Sequence, residues 1–326
     1  MTTGNMNTIT ANNYGEADVL KMTTAQLPSP KANEVLVRNY ATDVTAADIM
    51  MRTGKPRIGR LYLGLTKPKH PVLGFDFAGE VVATGQDVST FSVGDRVFGG
   101  TTALGCYAEF VCVNVNDVIA RIPENSSFEE VAPVASSAIT VINFLKGLGQ
   151  IKANDRVLIN GASGSLGTYA VQYAKYVGAE VTGVCSTANL EMVKGIGADF
   201  VIDYTKTNFT QNGKRYDIIF DTVGKRSFSE CRKVLSPNGI YLSSVIGLPL
   251  LLRSLMQVFG RQKARFSATG ALPAKKRLAY LNEINTIMAT GKLKSVIDRK
   301  YTLEELAEAH RYVESGHKKG NVVIVI

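Results

Sequence analysis

The sequence predicts an α/β protein in which a doubly wound parallel sheet is joined to a β-rich domain. Three observations lead to this fold class. Short apolar strands alternate with helices from Arg156 to Ser244, a glycine loop separates the first of these strands from the first helix, and the region before Pro123 is rich in short strands. Alternating strands and helices favour a parallel sheet with right-handed crossovers.

The N-terminal region predicts a compact, partly open β-barrel. Residues 34–40 alternate and are rich in strand-forming types, and residues 71–82 predict a pair of short strands interrupted by glycines. Residues 93–98 predict a turn followed by a strand. Glycines inside such patterns are typical of bulges and barrel corners. Ser127 and the glutamates after it then predict the start of a capped helix.

From Arg156 onward, five strands are expected to alternate with three helices. The predicted strands are Arg156–Ile159, Glu180–Val184, Phe200–Ile202, Asp217–Phe220 and Ile240–Ser244, and the predicted helices are Leu166–Val177, Ala188–Gly195 and Phe228–Leu235. Pro237-Asn238-Gly239 predicts a turn before the last of these strands. The C-terminal predictions are a helix over 274–290, a capping box at Thr302–Glu305 that starts a helix to Val313, and a closing strand over 321–326.

The loop Gly161-Ala162-Ser163-Gly164-Ser165-Leu166-Gly167 lies between a buried strand and a helix, as the dinucleotide fingerprint requires. In such a loop one glycine permits the tight turn, another lets the backbone approach the pyrophosphate, and the last packs the helix against the strand. N–H groups at the helix N-terminus then hold the phosphates. We therefore expect a Rossmann domain that binds a nicotinamide dinucleotide.

The end of the second parallel strand predicts NADPH as the cofactor, with NADH as the weaker candidate. Proteins that bind NAD usually place an acid there, where it bonds the ribose 2′-hydroxyl. Here residues 184–189 read Val-Cys-Ser-Thr-Ala-Asn and contain no acid. Hydroxyl and amide groups tolerate a 2′-phosphate, whereas a carboxylate would repel it. Tyr204, after the third strand, is placed to cover the adenosine end.

The formal net charge of +9 is concentrated near the C-terminus. Between Arg253 and Lys300 there are eleven Lys or Arg residues against two acids, Glu283 and Asp298. Such a stretch is either a nucleic-acid footprint or a solvated face that attracts an anionic cofactor. Because no aromatic residues alternate with these charges, as they would in a single-strand platform, we expect no nucleic-acid partner.

Composition also bears on compartment and membrane. The four cysteines lack the close spacing of a zinc knuckle or a redox CxxC pair, which favours reduced, buried thiols. The polar stretch Met1–Asn13 does not resemble a signal peptide, and no apolar run is expected to reach the roughly 20 residues of a membrane span. We therefore expect a cytoplasmic protein with no membrane partner. The apolar segment 248–259 is expected to roof a substrate cleft, form a dimer contact or pack in the core.

A series of ordered motifs resembles the medium-chain dehydrogenase/reductase superfamily, in its metal-free, quinone-reductase-like (zeta-crystallin-like) branch. The matching segments are Asp48-x-x-x-Arg52-x-Gly54, Pro71 with Phe77-x-Gly79-x-Val81, Val93–Val97, Tyr107–Phe110, Asn160–Gly164, Gly197–Asp199, Phe220–Gly224, Val296–Asp298, and Ala307 with Ala309-His310. The resemblance implies a GroES-like β-barrel domain over 1–124 and 268–326, and a Rossmann domain over 125–267. It also implies an active site in the cleft between them, and a homodimer.

Within that superfamily, the resemblance implies a site without metal. Thr45 stands where the zinc enzymes have their first ligand, and Gly74-Phe75-Asp76 replaces their Gly-His-Glu motif. The structural-zinc cysteine cluster has no counterpart. The three histidines, His70, His310 and His317, offer no ligand set with the tight spacing that zinc requires.

The resemblance also implies the cofactor contacts. Thr140 matches a threonine that reaches towards the nicotinamide end, while Ser163, Ser165 and Leu166 match the pyrophosphate turn. The remaining matches are Ser186, Asn189 and Tyr204 at the 2′-phosphate, and Val223 and Ile246 as backbone contacts near the adenine and the nicotinamide. Many relatives have Lys or Arg at 188 or 189, where this chain has Ala188 and Asn189.

The activity that the resemblance implies is hydride transfer from reduced nicotinamide to a quinone or an α,β-unsaturated carbonyl compound. Without zinc, a hydrogen-bond donor must stabilise the charge that develops on the carbonyl oxygen. Thr45 and Tyr62 are the candidate donors, and Thr45 is equally well explained as a loop hydroxyl bonded to its own backbone. Quinone-reducing relatives often have aromatic residues near positions 50 and 56, where this chain has Met50 and Pro56.

Two other functions stay open at this stage. One is a metal-free, NADP-dependent alcohol dehydrogenase, although no histidine is placed as the base that alcohol oxidation needs. The other is a non-catalytic dinucleotide-binding scaffold, crystallin-like or RNA-associated, which the basic stretch favours.

Overall fold

The computed structural model describes residues 4–245 and 261–326, and the chain divides into two compact units. Unit 1 comprises Met1–Ser136, Pro273–Ala289 and Ile297–Ile326, and unit 2 comprises Ser137–Leu272 and Thr290–Val296. The boundaries predicted from the sequence lie at 124/125 and 267/268. Helices and strands are numbered below in chain order over the described residues.

Unit 1 is built mainly from antiparallel strands. They are β1 (Asn5–Ala11), β2 (Leu20–Gln26), β3 (Glu34–Asp43), β4 (Asp76–Thr84), β5 (Arg96–Gly100), β6 (Phe110–Asn114), β7 (Val118–Arg121), β14 (Ile297–Thr302) and β15 (Asn321–Val325). β1 and β2 pair with each other, and the others form one sheet in the order β14-β15-β3-β4-β5-β7, with β6 also paired to β3. Among the described strands of unit 1, only the pair β14 and β15 is parallel. The two ends of the chain thus contribute to one sheet.

Strand β3 organises this sheet, because it pairs with three other strands. Its first half pairs with β6 and its last residues pair with β15, while β4 lies along its other side. The pairing with β4 shifts register at Leu36/Val37 and at Asn39/Ala41. Asn39 is buried at the second shift, where its amide donates to the carbonyls of Cys106 (2.9 Å) and Ala108 (3.3 Å). A bulge held in this way re-aims the neighbouring chain and keeps its buried polar groups paired.

The helices of unit 1 test two predicted helix starts. They are α1 (Ala46–Thr53), α2 (Arg60–Leu63), α3 (Phe128–Val131), α8 (Ala274–Ala289) and α9 (Leu306–Glu314). The start at Ser127 is confirmed, with a reciprocal capping box between Ser127 and Glu130. The helix start predicted at Thr302 is wrong, because β14 extends to Thr302 and α9 begins only at Leu306. One bond of the predicted capping box is nevertheless present, from Thr302 N to Glu305 Oε2 at 2.9 Å. The predicted strand pair at 71–82 is also wrong, since the region forms β4 alone, preceded by a single bridge between Thr10 and Val72.

Unit 2 contains the predicted parallel sheet. Its strands are β8 (Arg156–Asn160), β9 (Glu180–Cys185), β10 (Phe200–Asp203), β11 (Tyr216–Asp221), β12 (Leu235–Ser243) and β13 (Lys263–Phe266), and its helices are α4 (Val134–Ile142, which begins in unit 1), α5 (Ser165–Val177), α6 (Leu190–Gly195) and α7 (Phe228–Cys231). All pairings in this sheet are parallel, in the order β10-β9-β8-β11-β12-β13. From β8 the chain adds β9 and β10 on one side, and it then returns to add β11, β12 and β13 on the other side. The boundary between β8 and β11 is therefore the topological switch point of the sheet, where ligands of such sheets bind.

The predicted helix and turn before β12 need correction. The helix predicted over 228–235 ends as α7 at Cys231 and continues as a short 3₁₀ turn over Arg232–Val234. β12 already begins at Leu235, so Pro237-Asn238-Gly239 lies inside the strand. Its residues bulge out of the ladder, because Tyr216 pairs with Leu235 while Ile218 pairs with Ile240. Proline in a strand interior is tolerated at such a bulge.

One helical stretch, Phe128–Leu148, contradicts the expectation that no apolar run reaches the length of a membrane span. It is 21 residues long with a mean hydropathy of 1.4, which by length and composition alone is enough to cross a membrane. In the described structure 72% of its apolar window is buried within the protein. Burial against the protein's own core accounts for this hydropathy without a bilayer.

Candidate functional site

The glycine loop between β8 and α5 has the geometry of a phosphate cradle. Gly161 has φ of +83°, and a Cβ atom there would lie 2.4 Å from Thr222 Oγ1. At Gly167 a Cβ atom would lie 2.1 Å from the Gly161 carbonyl oxygen. At Gly164 the nearest atom would be 3.6 Å away, so that face of the loop is open. The three glycines therefore serve the bend, the helix packing and the close approach of a ligand, as the fingerprint requires.

Helix α5 offers its N-terminus at the edge where the sheet order reverses. Its N-cap is Gly164, which has no side chain to cap the first turn. The loop is closed by hydrogen bonds from Gly164 N to Gly161 O (3.1 Å) and from Thr168 N to Gly164 O (2.9 Å). An uncapped N-terminus with a glycine approach is a ready site for anionic groups. Residues 161–167 thus have the geometry that binding of a dinucleotide pyrophosphate requires.

Asn189 joins the two loops that were predicted to hold phosphates. Its Nδ2 donates to Ser163 Oγ and to Ser186 Oγ, each at 3.2 Å. Since both serine oxygens accept from Asn189, both hydroxyl protons can point elsewhere. Asn189 Oδ1 is buried and has no hydrogen-bond partner among residues 4–245 and 261–326. Asn189 thus positions two hydroxyl donors, that of Ser163 in the pyrophosphate loop and that of Ser186 at the end of β9.

The end of β9 also receives a carboxylate that the sequence did not reveal. Parallel pairing sets Asp203 of β10 beside Cys185, and its side chain accepts hydrogen bonds from Thr187 and Thr205. These bonds, that from Thr187 first, lower the pKa of Asp203, so the group is ionised at neutral pH. The acid was missed because it lies on the third strand rather than on the second. Tyr204 follows it, with 58% of its surface exposed.

A buried network holds the carboxyl ends of β8 and β11 together. Asp221 is fully buried and accepts from Asn160 Nδ2 (2.9 Å), from the amide N–H groups of Val223 and Gly224 (3.0 Å each) and from the Tyr241 hydroxyl (2.8 Å). The predicted contact residue Val223 is thereby held in place, with 40% of its surface exposed. The signal for Asp221 was present, since Asp221 and Asn160 each directly follow a predicted strand.

The other predicted cofactor residues stand as follows. Thr140 is half-buried on α4, and Ser165 and Leu166 form the first turn of α5. Ile246 lies outside the described residues, and so does the apolar segment 248–259.

In unit 1, Thr45 is the N-cap of α1. Its side chain accepts from the N–H groups of Ala47 and Asp48, and its hydroxyl donates to Asp48 Oδ2 at 2.6 Å. Asp48 Oδ2 also accepts from Thr45 N at 2.9 Å, which completes a capping box. In this geometry the Thr45 hydroxyl proton points towards the Asp48 carboxylate. Donation from Thr45 to a substrate would therefore require this hydrogen bond to break.

Three aspartates, Asp43, Asp48 and Asp76, are buried together in unit 1. The sequence motifs included Asp48 and Asp76 but did not predict that the three lie together. Burial raises the pKa of Asp48 to about 6 and the pKa of Asp76 to about 7, and it raises the pKa of Asp43 well above its usual range. Asp76 accepts from the backbone N–H (2.8 Å) and the hydroxyl (2.7 Å) of Ser136. The Tyr107 hydroxyl donates to the Asp43 carbonyl at 3.2 Å. Proton uptake by this group at near-neutral pH is therefore possible within the barrel unit.

The second candidate donor, Tyr62, lies on the short helix α2. Arg60 on the same helix lies over the ring of Tyr14, 4.4 Å from its centroid, and donates to Gly54 O at 3.1 Å. The Tyr14 hydroxyl in turn donates to Gly64 O at 2.7 Å. These contacts fix the backbone that carries Tyr62.

Comparison with known proteins agrees with this arrangement. A model of the alcohol dehydrogenase GroES-like domain matches residues 31–124, and a model described as zinc-binding dehydrogenase matches residues 196–324. Quinone-oxidoreductase QR1 of Triphysaria versicolor is 33% identical over 95% of this chain and 95% of its own length. This chain belongs to the medium-chain dehydrogenase/reductase superfamily, in its quinone-oxidoreductase-like branch. The chain is accordingly an oxidoreductase that uses a nicotinamide cofactor, and the predicted fold class of Rossmann sheet plus GroES-like domain is confirmed.

The chain is also similar to a second reductase and to a solved structure with bound NADPH. The 2-methylene-furan-3-one reductase of Solanum lycopersicum is 30% identical over 95% of this chain and 76% of its own length. The structure of Escherichia coli quinone oxidoreductase complexed with NADPH aligns with a TM-score of 0.84 at 25% identity, over 98% of this chain and all of that one.

Although one matching model is described as zinc-binding, two positions that hold zinc ligands in zinc relatives have other roles in this chain. Thr45 caps a helix where zinc relatives have a ligand, and Asp76 bonds Ser136. Within the described part of the chain, no group of three or more His, Cys, Asp and Glu residues is arranged to hold a metal ion.

Proposed function

We propose that this protein is a zinc-independent reductase that uses NADPH to reduce quinones or α,β-unsaturated carbonyl compounds. The observation that carries the proposal is the open glycine cradle at 161–167, which fits the cofactor pyrophosphate at the switch point of the sheet. Its relatives support the acceptor class. One is named a quinone oxidoreductase, and another is named for a substrate that is an α,β-unsaturated ketone.

The division of labour follows from this chemistry. Bound NADPH supplies the hydride, and the protein orients the reactants and stabilises the charge on the acceptor oxygen. Thr45 and Tyr62 remain our candidates for donors to that oxygen. Because Thr45 donates to the Asp48 carboxylate, proton uptake by Asp48 would weaken that bond, and the raised pKa of about 6 allows such uptake at mildly acidic pH.

The proposal is tested by binding and turnover in one experiment. The purified protein is titrated with NADPH and NADH by fluorescence, and 9,10-phenanthrenequinone and a simple enone are then added while NADPH oxidation is followed. We expect tight NADPH binding and turnover with at least one acceptor, unchanged after treatment with a metal chelator. Binding without turnover on any acceptor would favour the scaffold alternative, and NADP⁺ reduction by alcohols would favour the alcohol dehydrogenase.

The preference for NADPH rests on the hydroxyl of Ser186, which Asn189 orients, and on the absence of an acid at the end of β9. Asp203 opposes it, although Lys206 lies 3.8 Å from that carboxylate and partly offsets its charge. The change Ser186→Asp should weaken NADPH binding at least tenfold, about 1.4 kcal/mol, because a carboxylate repels the 2′-phosphate. NADH affinity should change far less.

Ser186→Asn is the matched control for this test, since it alters the side chain without adding charge. Fluorescence titrations of both variants with both cofactors decide the question. If Ser186→Asp weakens NADH and NADPH equally, residue 186 does not face the 2′-phosphate.

We further propose that the protein is a cytoplasmic homodimer without a nucleic-acid partner. The resemblance across the superfamily supports the dimer, and light scattering on the purified protein measures it directly.

A further inference from the structure

A surface segment of unit 1 combines exposed cations with exposed apolar side chains. Between Lys55 and His70 there are five Lys or Arg residues and no acid, and the acid-free run extends from residue 49 to residue 75. Four of these cations are exposed, namely Lys55, Arg57, Lys67 and Lys69. We refer to Lys55–His70 as the basic apolar segment.

The apolar side chains of this segment project into solvent to an unusual extent. Ile58 is 74% exposed, Leu61 is 64% exposed and Leu65 is 70% exposed. Single exposed aliphatic residues need no explanation, but three within eight positions form a cluster. Ile58 and Leu65 lie within three positions of an exposed cation in the chain, and Leu61 lies four positions after Arg57.

The segment is anchored rather than loose. The contacts of Arg60 with the Tyr14 ring and the Gly54 carbonyl hold its first half, and the hydrogen bond from Tyr14 to Gly64 O holds its second half. A further bond from Lys69 N to Leu63 O (2.7 Å) closes the following turn. The exposed aliphatic side chains are therefore carried by a backbone that several hydrogen bonds hold in place.

Cations interleaved with protruding aliphatic residues are the chemistry that an anionic lipid surface accepts. Lys and Arg are attracted by anionic headgroups, and aliphatic side chains enter the boundary between headgroups and acyl chains. The absence of any acid from 49 to 75 removes the repulsion that would oppose such contact. The formal net charge of +9 adds long-range attraction.

We propose that the basic apolar segment docks the protein peripherally on an anionic lipid surface. Such contact requires neither a membrane-spanning helix nor a signal peptide. The expectation of no membrane partner was based on the lack of those two features, so it does not address peripheral contact. The proposal does not depend on which acceptor the enzyme reduces.

The test is sedimentation of the full-length protein with vesicles. One set contains phosphatidylcholine alone, and the other contains phosphatidylcholine with 30% phosphatidylserine, each at low and at physiological salt. We expect binding to the anionic vesicles only, weaker at higher salt. The double change Lys67→Glu/Lys69→Glu should weaken it more than tenfold, given about fivefold per cation near the surface. The change Ile58→Ser/Leu65→Ser should also weaken binding.

The matched control is Lys233→Glu/Lys275→Glu, which makes the same change in net charge at two exposed lysines outside the segment. We expect it to retain most of the vesicle binding. Equal loss in both double variants would overturn the proposal, because binding would then reflect overall charge alone. Absence of binding to anionic vesicles at low salt would also overturn it, even if the protein is retained on heparin.

A separate readout distinguishes this proposal from a role in the substrate site. NADPH oxidation with a water-soluble acceptor should be the same in the wild type and in Lys67→Glu/Lys69→Glu. A raised KM in that variant with vesicle binding unchanged would assign the segment to substrate binding and overturn the docking proposal. Wild-type turnover without any vesicle binding would leave the reductase standing and the docking proposal refuted.

Discussion

His310 is a fully buried residue of α9 whose ring is held neutral by its surroundings. Its ring packs edge-on against Tyr107 with centroids 5.7 Å apart, and neither ring nitrogen has a hydrogen-bond partner among the described residues. Burial, and then the charge of Arg52, lower its pKa to about 3. Arg52 is itself buried and pairs with Glu314 at 2.5 Å, so its charge is fixed nearby. A neutral, unbonded histidine in a core makes the barrel unit sensitive to acid.

The sign of this sensitivity follows from the two states. In the unfolded chain His310 takes up a proton near pH 6.5, whereas in the folded protein its pKa is about 3. The stability it contributes is therefore complete above pH 6.5 and is lost as the pH falls towards 3. Between pH 7.5 and 5 the loss should be about 2 kcal/mol. His310→Phe should remove this loss, as measured by urea unfolding at the two pH values.

The control for this prediction is His317→Phe, at an exposed position. The raised pKa values of Asp48 and Asp76 act in the opposite direction, since their contribution to stability is lost as the pH rises through about 6 and 7. These carboxyls are common to all three proteins, so the comparison between them isolates His310. An equal pH slope in His310→Phe and wild type would mean that the ring is protonated in the folded state.

At the scale of single elements, changes at two glycines of the glycine loop and helix α5 distinguish an effect on stability from an effect on cofactor binding. Helix propensity alone would favour Gly167→Ala by about 1 kcal/mol. A Cβ atom at Gly167 would, however, lie 2.1 Å from a backbone oxygen, and such overpacking costs about 1–3 kcal/mol or more. We therefore expect Gly167→Ala to lower stability and cofactor affinity together, as measured by thermal unfolding and fluorescence titration.

Gly164→Ala is its counterpart, because a Cβ atom there meets no atom closer than 3.6 Å. Its φ of −85° is open to any residue, and the change at an N-cap costs at most about 1 kcal/mol. The added methyl group stands where the pyrophosphate approaches. We expect near-normal thermal stability with at least tenfold weaker NADPH binding. Unchanged affinity in Gly164→Ala would place the cofactor elsewhere.

The same elements show which parts of the fold were predictable. The strand–loop–helix unit from Arg156 to Val177 was predicted nearly to the residue, because its apolar runs and glycines are local signals. The bulge in β12 was not, because it depends on how Tyr216 and Ile218 pair with that strand. The wrong helix start at Thr302 has a similar cause, since pairing with β15 keeps that residue in a strand.

At the scale of the whole molecule, the parts of the site that escaped prediction are those that distant segments build. Asp203 reaches Thr187 through the pairing of β10 with β9, and Asp221 meets Asn160 through the pairing of β11 with β8. The three aspartates of unit 1 come from the end of β3, from α1 and from the start of β4. A motif search finds residues close in the chain, whereas these groups become neighbours only through sheet order and register.

The same long-range order predicts where the cofactor should stabilise the protein. Ser163, Ser186 and Asn189 come from two loops of unit 2 that Asn189 already joins, so a ligand that contacts both should protect both. With NADPH at 100 times its Kd, the stabilisation should be about 2.7 kcal/mol. Hydrogen exchange followed by mass spectrometry should therefore slow first in peptides covering 161–168 and 184–190, and much less in β3. The variant Gly164→Ala should lose this protection at the same NADPH concentration. If β3 were protected more strongly than either loop, the contacts that hold the cofactor would lie outside the cradle, and the role of the Asn189 bridge would have to be abandoned.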